Sequence, residues 1–486
     1  MVEVLRTPLT ARGIQRPALI TATLAGCGLV CSFMQTLVIP LVPEFPKLLS
    51  TSAPNASWIV TVTLLAGAVF TPISGKLGDI YGKKRVALFL LAAIVTGSLL
   101  AAVTTTLLPL IIGRALQGAG LGVIPLGISM LRDTMPPERL GRSVALMSST
   151  LGVGAAAGMP LSAIVSQHFD WHMLFWISAG LSAAGFVALW IVVPTSPQHR
   201  GLRFDVAGAI GLTIGFTALL LAISKGSEWG WASAPIIICS VGGLAVLAVW
   251  GVFQWRSNSP LVDLRVSARR PVLLTNLASV AVGFGLFTSP VVLPKLLEMP
   301  TSTGVGLGQS MLITGLCMTP TGLVMMATSP VAARISTKYG PRICLIVGAA
   351  TIVVGYGLAL ILMSEVWHTV LVGCFSGVGI GFAYAAMPTL IMQSVPESET
   401  AAANGLNTLM RSVGTSTASA VITVLLAQNV AVVNGHAYTT ATGFRLAFAA
   451  ATLAAIVALV LACFIPRRAK TYADAIFDPT KSKSTV

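Results

Sequence analysis

Charge is what this chain has least of. Of 486 residues, 9% are Asp, Glu, Lys or Arg and only 15 are acidic, against roughly 25% charged in an ordinary soluble domain. That shortage of polar surface excludes a soluble fold of this length. Cysteine is sparse: Cys27, Cys31, Cys239, Cys317, Cys344, Cys374 and Cys463 show neither metal-site spacing nor a disulfide framework, and read as small packing residues. No Gly-x-x-x-x-Gly-Lys-Ser/Thr loop occurs, so ATP-driven pumping has no motif to carry it. His168, His172, His199, His368 and His436 are scattered at loops, which leaves a membrane enzyme without a catalytic cluster. No catalytic residue, metal site or cofactor is expected.

What the chain has in quantity is grease: 55% of its residues are apolar. They come in blocks of about 20, the length a helix needs to cross a bilayer. The blocks predict an all-α polytopic membrane protein of fourteen spans, the first too long for a cleavable leader. The lipid bilayer is therefore the first partner. A net charge of +15 raises the question of a nucleic-acid partner. Its distribution answers it. Lys47, Lys225, Lys295 and Arg445 fall on one side and Arg114 and Arg411 within spans, while the other Lys and Arg residues crowd the opposite side. That is the positive-inside pattern, predicting a multi-pass plasma-membrane protein with both termini cytoplasmic and no nucleic acid bound.

The chain also repeats itself. Gly118-Ala-Gly-Leu-Gly122 is echoed by Gly377-Val-Gly-Ile-Gly381 and Pro137-Glu138 by Pro396-Glu397, both at an offset of 259. Tyr81-Gly82 is echoed by Tyr339-Gly340 at an offset of 258. A near-constant offset predicts duplication. The domains expected are a segment 1–16, a six-helix bundle 17–193, a linker region 194–270 with two extra helices, a second six-helix bundle 271–465 and a tail 466–486.

One loop is specific. Gly75-Lys-Leu-Gly-Asp-Ile-Tyr-Gly-Lys-Lys-Arg85 joins the second and third spans. Glycines permit a tight turn between close helices, and Asp79 can pair with a cation or cap a helix N-terminus. The pattern G-x-L-x-D-x-x-G-x-(K/R)-(K/R) resembles the signature loop of the major facilitator superfamily, with Gly75, Asp79, Gly82, Lys83 and Arg85 in register. Its second copy, Ala333-Arg-Ile-Ser-Thr-Lys-Tyr-Gly-Pro-Arg342, has Thr337 in place of the acid. The resemblance implies two six-helix bundles related by a pseudo-two-fold axis, rocking about a central site. In the fifth span Gly152-Val-Gly-Ala-Ala-Ala-Gly-Met-Pro-Leu-Ser-Ala163 is similar to the family's exporter element, with Gly154, Gly158 and Pro160 as its gating residues. Small residues at this spacing also pack helices closely without any transport role. Phe204-Asp205, Glu228-Trp-Gly-Trp231, Pro260-Leu-Val-Asp-Leu-Arg265 and Asp170-Trp-His-Met-Leu-Phe-Trp176 resemble landmarks of the fourteen-helix drug:proton antiporter branch.

That branch implies a monomeric secondary transporter exporting small amphiphilic compounds, with the proton gradient as energy source. Export of one dedicated metabolite, antibiotic or lipid, without proton coupling, is the alternative. No acid lies in the middle of a predicted span; where relatives carry one in the first span, this chain has Met34 and Gln35. Three couplings stay open: a carboxylate at a span end (Glu44 or Glu298 outside, Asp79 inside), a network around Arg114, or no proton coupling. An arginine within a span is costly unless it faces a cavity, a partner or the interface. Arg114 and Arg411 leave the interior positive, which favours neutral or anionic cargo over permanent dications. By analogy with the family, Gln35, Gln117, Phe284, Phe287, Tyr384 and Met387 are expected to line the cavity.

Overall fold

The computed structural model describes residues 17–42, 44–195, 204–433 and 436–466. Apart from Pro466, the expected terminal segments 1–16 and 466–486 lie outside the described residues, as does 196–203 of the linker region. Fourteen long helices follow in order: α1 (Pro17–Thr36), α2 (Ala53–Tyr81), α3 (Lys83–Val103), α4 (Leu107–Thr134), α5 (Pro137–His168), α6 (His172–Val192) and α7 (Val206–Trp229). Then come α8 (Ala234–Arg256), α9 (Arg270–Glu298), α10 (Met311–Tyr339), α11 (Pro341–Ala359), α12 (Val366–Ser394), α13 (Thr400–Gln428) and α14 (Ala441–Phe464).

Thirteen of them combine the length and apolarity of a membrane span among the described residues. Helix α5 packs against α1, α10 and α12. Side chains stop and start these helices where the sequence changes. Ser52, Asp205, Ser310 and Thr440 accept from the first free N–H groups of α2, α7, α10 and α14. Gly82 and Gly340, at φ 99° and 89°, end α2 and α10 in a backbone region that only glycine enters cheaply. One element departs from the all-helical expectation. Val430–Val433 pairs antiparallel with His436–Thr439 between α13 and α14, in a stretch rich in the β-branched and aromatic residues that strands favour.

The repeat is visible in the packing. Helices α1 with α5, α2 with α4 and α3 with α6 form one set of neighbours, and α9 with α13, α10 with α12 and α11 with α14 form its counterpart. Gly118 of α4 lies so close to α2 that an added Cβ would sit 2.4 Å from the Thr63 carbonyl oxygen; Gly377 of α12 stands 2.3 Å, by the same measure, from that of Thr321 in α10. Both glycines are there for close backbone approach. The bundles meet mainly through α2 against α13 and α5 against α10, which are the same pair of repeat positions exchanged. The extra helices α7 and α8 form a hairpin whose α7 side rests on α2 and α13, leaving α8 with apolar residues such as Ile238 and Val249 exposed. Among the described residues, the turns after α2, α4 and α10 and the segment before α9 gather most lysines and arginines; this end is the basic face.

Candidate gating latch and substrate site

On the basic face the end of α2 meets the start of α13. A Cβ at Gly75 would stand 2.5 Å from the Ala401 carbonyl oxygen, so the missing side chain is what lets the two backbones touch. Asp79, 1% exposed, accepts from the Ala402 backbone N–H at 3.0 Å. Ala402 is in the first turn of α13, where amides lack intrahelical acceptors and the helix dipole favours negative charge. Among the described residues no other carboxylate is as enclosed. Beside it, Lys83 donates to both oxygens of Asp133 at 2.8 and 2.7 Å, tying α3 to the end of α4, and Arg132 donates to Thr400 Oγ1 across the bundles. Gly82 forms the turn and Arg85 is exposed.

Arg114 is buried inside the first bundle at 1% exposure. Its Nε donates to the Ile59 carbonyl at 3.2 Å, and its Nη1 to the Met34 carbonyl at 3.2 Å and Gln117 Oε1 at 2.7 Å. Gln117 passes the chain on to Ser98 Oγ at 2.7 Å, which contacts Ser178 at 3.2 Å. One cation thus ties α1, α2 and α4 together and reaches α3 and α6. Its acceptors are carbonyls and an amide, which satisfy a buried guanidinium without a carboxylate. A few residues further on, Gly120–Gly122 turns as a single 3-10 segment within α4.

Arg411 of α13 occupies a different setting. Its Nη1 donates to Asn407 Oδ1 at 2.8 Å, its Nη2 to Thr408 Oγ1 at 2.9 Å, and its Cζ lies 4.6 Å from the centre of the Tyr384 ring. Asn407 Nδ2 donates in turn to Asn276 Oδ1 at 2.9 Å and Ser279 Oγ at 2.7 Å of α9. Ser279 also donates to Met387 Sδ at 2.9 Å. The structure therefore brings together three of the residues expected from sequence, Arg411, Tyr384 and Met387. It adds Asn276, Ser279, Asn407 and Thr408. Their signal was present: Asn404, Asn407, Thr408 and Arg411 recur at three- and four-residue spacing on one helical face. Phe284 and Phe287 are half-buried against the second bundle's core, and Gln35 is half-buried in α1. Gln117 points into the first bundle, away from this group. Glu44 and Glu298 are exposed on the face opposite the basic one.

The small residues of α5 divide between two neighbours. A Cβ at Gly154 would meet the Leu29 carbonyl at 2.5 Å, and one at Gly158 would meet Phe33 O at 2.9 Å, so both face α1. Gly152 faces Met325, and Pro160 lies against Gly315, both on α10. The remaining landmarks anchor helices. Asp205 accepts from Gly208 N at 2.7 Å, Gln254 Nε2 at 2.7 Å and Leu261 N at 3.3 Å, binding α7, α8 and the 260–262 segment. Lys225 and Glu228 pair at 2.7 Å, Lys225 lies 5.0 Å over the Trp58 ring, and Trp229 packs on Trp58. Asp170 accepts from His172 N at 2.8 Å, which holds its carboxyl below the usual range, and Trp171 packs edge-on between Phe45 and Phe175.

Two pseudo-symmetric six-helix sets meeting through exchanged second and fifth helices define a two-bundle membrane transporter fold. A family model described as Major Facilitator Superfamily matches residues 24–419 and 275–483. The chain belongs to that superfamily. It is 28% identical over 377 residues to the Multidrug resistance protein B homolog of Mycobacterium tuberculosis, covering 76% of this chain and 69% of that protein. It is 27% identical over 350 residues to the Lincomycin resistance protein LmrB of Listeria monocytogenes, with 70% and 71% covered. The crystal structure of the human organic anion transporter MFSD10 (TETRAN) superposes with a TM-score of 0.64 at 14% identity, covering 93% of this chain and 99% of that one, a likeness of fold.

Proposed function

We propose that this protein exports small amphiphilic compounds, drugs or antibiotics among them, across the plasma membrane by alternating access in exchange for protons. The basic face is cytoplasmic in this reading, the chain works as a monomer in the bilayer, and it needs no bound cofactor. The observation that carries it is the Arg411 cluster: a guanidinium, two amides, two hydroxyls, a Tyr ring and a Met sulfur gathered from α9, α12 and α13. Such a group offers donors to a neutral or anionic head and a soft, polarizable wall to an apolar body. The names of the multidrug- and lincomycin-resistance relatives support the direction and the cargo class. Asp79, the enclosed carboxylate of the latch, supports a proton step coupled to opening of the basic face.

Efflux from proteoliposomes tests it. With an imposed pH gradient, an anionic or neutral fluorescent amphiphile is transported and a permanent dication of matched size is not. Arg411→Gln reduces anion transport by tenfold or more while leaving a neutral compound within a few-fold, since a charge-assisted hydrogen bond is worth roughly 1.5–3 kcal/mol. Asp79→Asn uncouples flux from the gradient, whereas Glu44→Gln and Glu298→Gln do not. Wild-type flux indifferent to pH ends the proton-exchange reading, and equal handling of anion and dication ends the assignment to Arg411.

A further inference from the structure

The repeat gives the basic face two equivalent junctions, and they are built differently. At the first, Gly75 and Asp79 of α2 close against α13. At the second, α10 meets α5, and the positions 258 residues on are Ala333 and Thr337. A methyl at Ala333 stands where the first junction needs bare backbone. The Thr337 hydroxyl donates back to the Ala333 carbonyl at 2.8 Å and carries no charge. A cleft of about 550 Å³ lies open here, lined by Glu138, Arg142, Arg334, Thr337 and Lys338 together with Pro330 and Ala333.

Three cations share that cleft with one carboxylate. Among the described residues, none of Arg142, Arg334 and Lys338 lies within 4.0 Å of a carboxylate oxygen. Lys338 sits 5.1 Å over the Tyr339 ring. About one helical turn deeper along the same helices, Leu146 of α5 and Val331 of α10 are exposed, by 39% and 45%. Charge at the rim with apolar surface one turn inward is the profile of a lipid, whose phosphate stays at the interface while its chains run along the helices. We infer that this cleft binds the phosphate headgroup of an anionic phospholipid, which supplies between α5 and α10 the negative charge that Asp79 supplies between α2 and α13. The lipid bridges one bundle to the other. That it comes from the inner leaflet rests on the cytoplasmic placement of the basic face proposed above; occupancy itself does not.

The test reads lipid retention and needs no transport, so it stands or falls apart from the export reading. Purified protein is taken from nanodiscs of equal phosphatidylglycerol and phosphatidylcholine, and the lipid still bound in detergent is counted by native mass spectrometry. Wild type retains phosphatidylglycerol in preference. Each interfacial cation accounts for about a fivefold enrichment, so Arg334→Gln with Lys338→Gln brings the ratio close to one. Thr337→Asp, which restores the carboxylate of the first junction, also lowers retention, and serves where the double variant folds poorly. Arg256→Gln with Arg265→Gln, basic positions outside the cleft, leaves the ratio unchanged. Retention undiminished in both cleft variants overturns the proposal. So does displacement of the bound lipid by 10 mM inorganic phosphate, which would make the occupant a soluble anion.

Discussion

The Asp79–Ala402 contact yields the most direct prediction. Asp79→Asn keeps the volume and the acceptor but removes the charge. A hydrogen bond to an ionised acceptor is worth about 1.5–3 kcal/mol and a neutral one about 1 kcal/mol. The amide also forfeits the helix-dipole attraction at the start of α13, about 0.3–1 kcal/mol. Together these weaken closure of the basic face by about 1–3 kcal/mol, or roughly five- to a hundredfold in the open population at 1.4 kcal/mol per decade. Hydrogen–deuterium exchange reports that population, because amides in the first turn of α13 exchange when the latch opens. Peptides covering 397–409 are expected to exchange roughly five- to a hundredfold faster in Asp79→Asn, while peptides from the 444–458 core of α14 keep wild-type protection. Unchanged exchange at 397–409 in a folded variant would refute the latch. Acceleration spread evenly over both bundles would show instead that Asp79 serves general stability.

Other substitutions probe the rest of the frame. Gly118→Ala and Gly377→Ala each drive a methyl against a carbonyl, at 2.4 and 2.3 Å. Both are expected to cost about 1–3 kcal/mol, seen as matched losses of melting temperature in detergent; a large difference between them argues against equivalent packing in the two bundles. Arg114→Ala removes three buried hydrogen bonds, to the Met34 and Ile59 carbonyls and Gln117 Oε1; Ile59 O keeps the Thr63 hydroxyl, so the loss falls on Met34 O and Gln117 Oε1, at about 1–3 kcal/mol each. Its main effect is therefore lost expression and thermostability, with partial recovery in Arg114→Lys; a stable Arg114→Ala that fails only in transport would place the residue in the chemistry instead. A double-mutant cycle of Lys83→Met and Asp133→Asn should return a coupling of about 1–3 kcal/mol for their 2.7 Å pair, and additive losses would mean the pair does not act as a unit.

How far the sequence alone leads depends on what kind of partner a residue has. Bilayer-length apolar blocks, the repeat and the glycine-bounded turn at Gly82 were legible because each is written in side chains and spacing. For Asp79 the kind of partner, a cation or a helix N-terminus, was legible, but which one was not. It is a backbone amide of Ala402, 323 residues away, and an amide exposed by a helix start leaves no residue signature. Arg114 shows the same blindness, since sequence left cavity, partner and interface open and could not name its acceptors, two carbonyls and Gln117. The Arg411 group was half visible: the polar face of α13 could be read, but its meeting with Asn276 and Ser279 depends on how α9 and α13 cross. The short strands at Val430–Val433 and His436–Thr439 escaped because two four-residue segments carry too little periodicity to stand out between long helices.

The α7–α8 hairpin has a mechanical consequence. It is fastened to α2 by Ser57, which bonds Lys225 and Glu228, themselves an ion pair within α7, and by Trp229 packed on Trp58. Against α13 it offers Leu212, Phe216 and Leu220, facing Leu406, Leu409 and Met410. A fastening at one edge and an apolar edge at the other make the pair an outboard rail: in the alternating access proposed above it stays with the first bundle, and α13 slides along its apolar side.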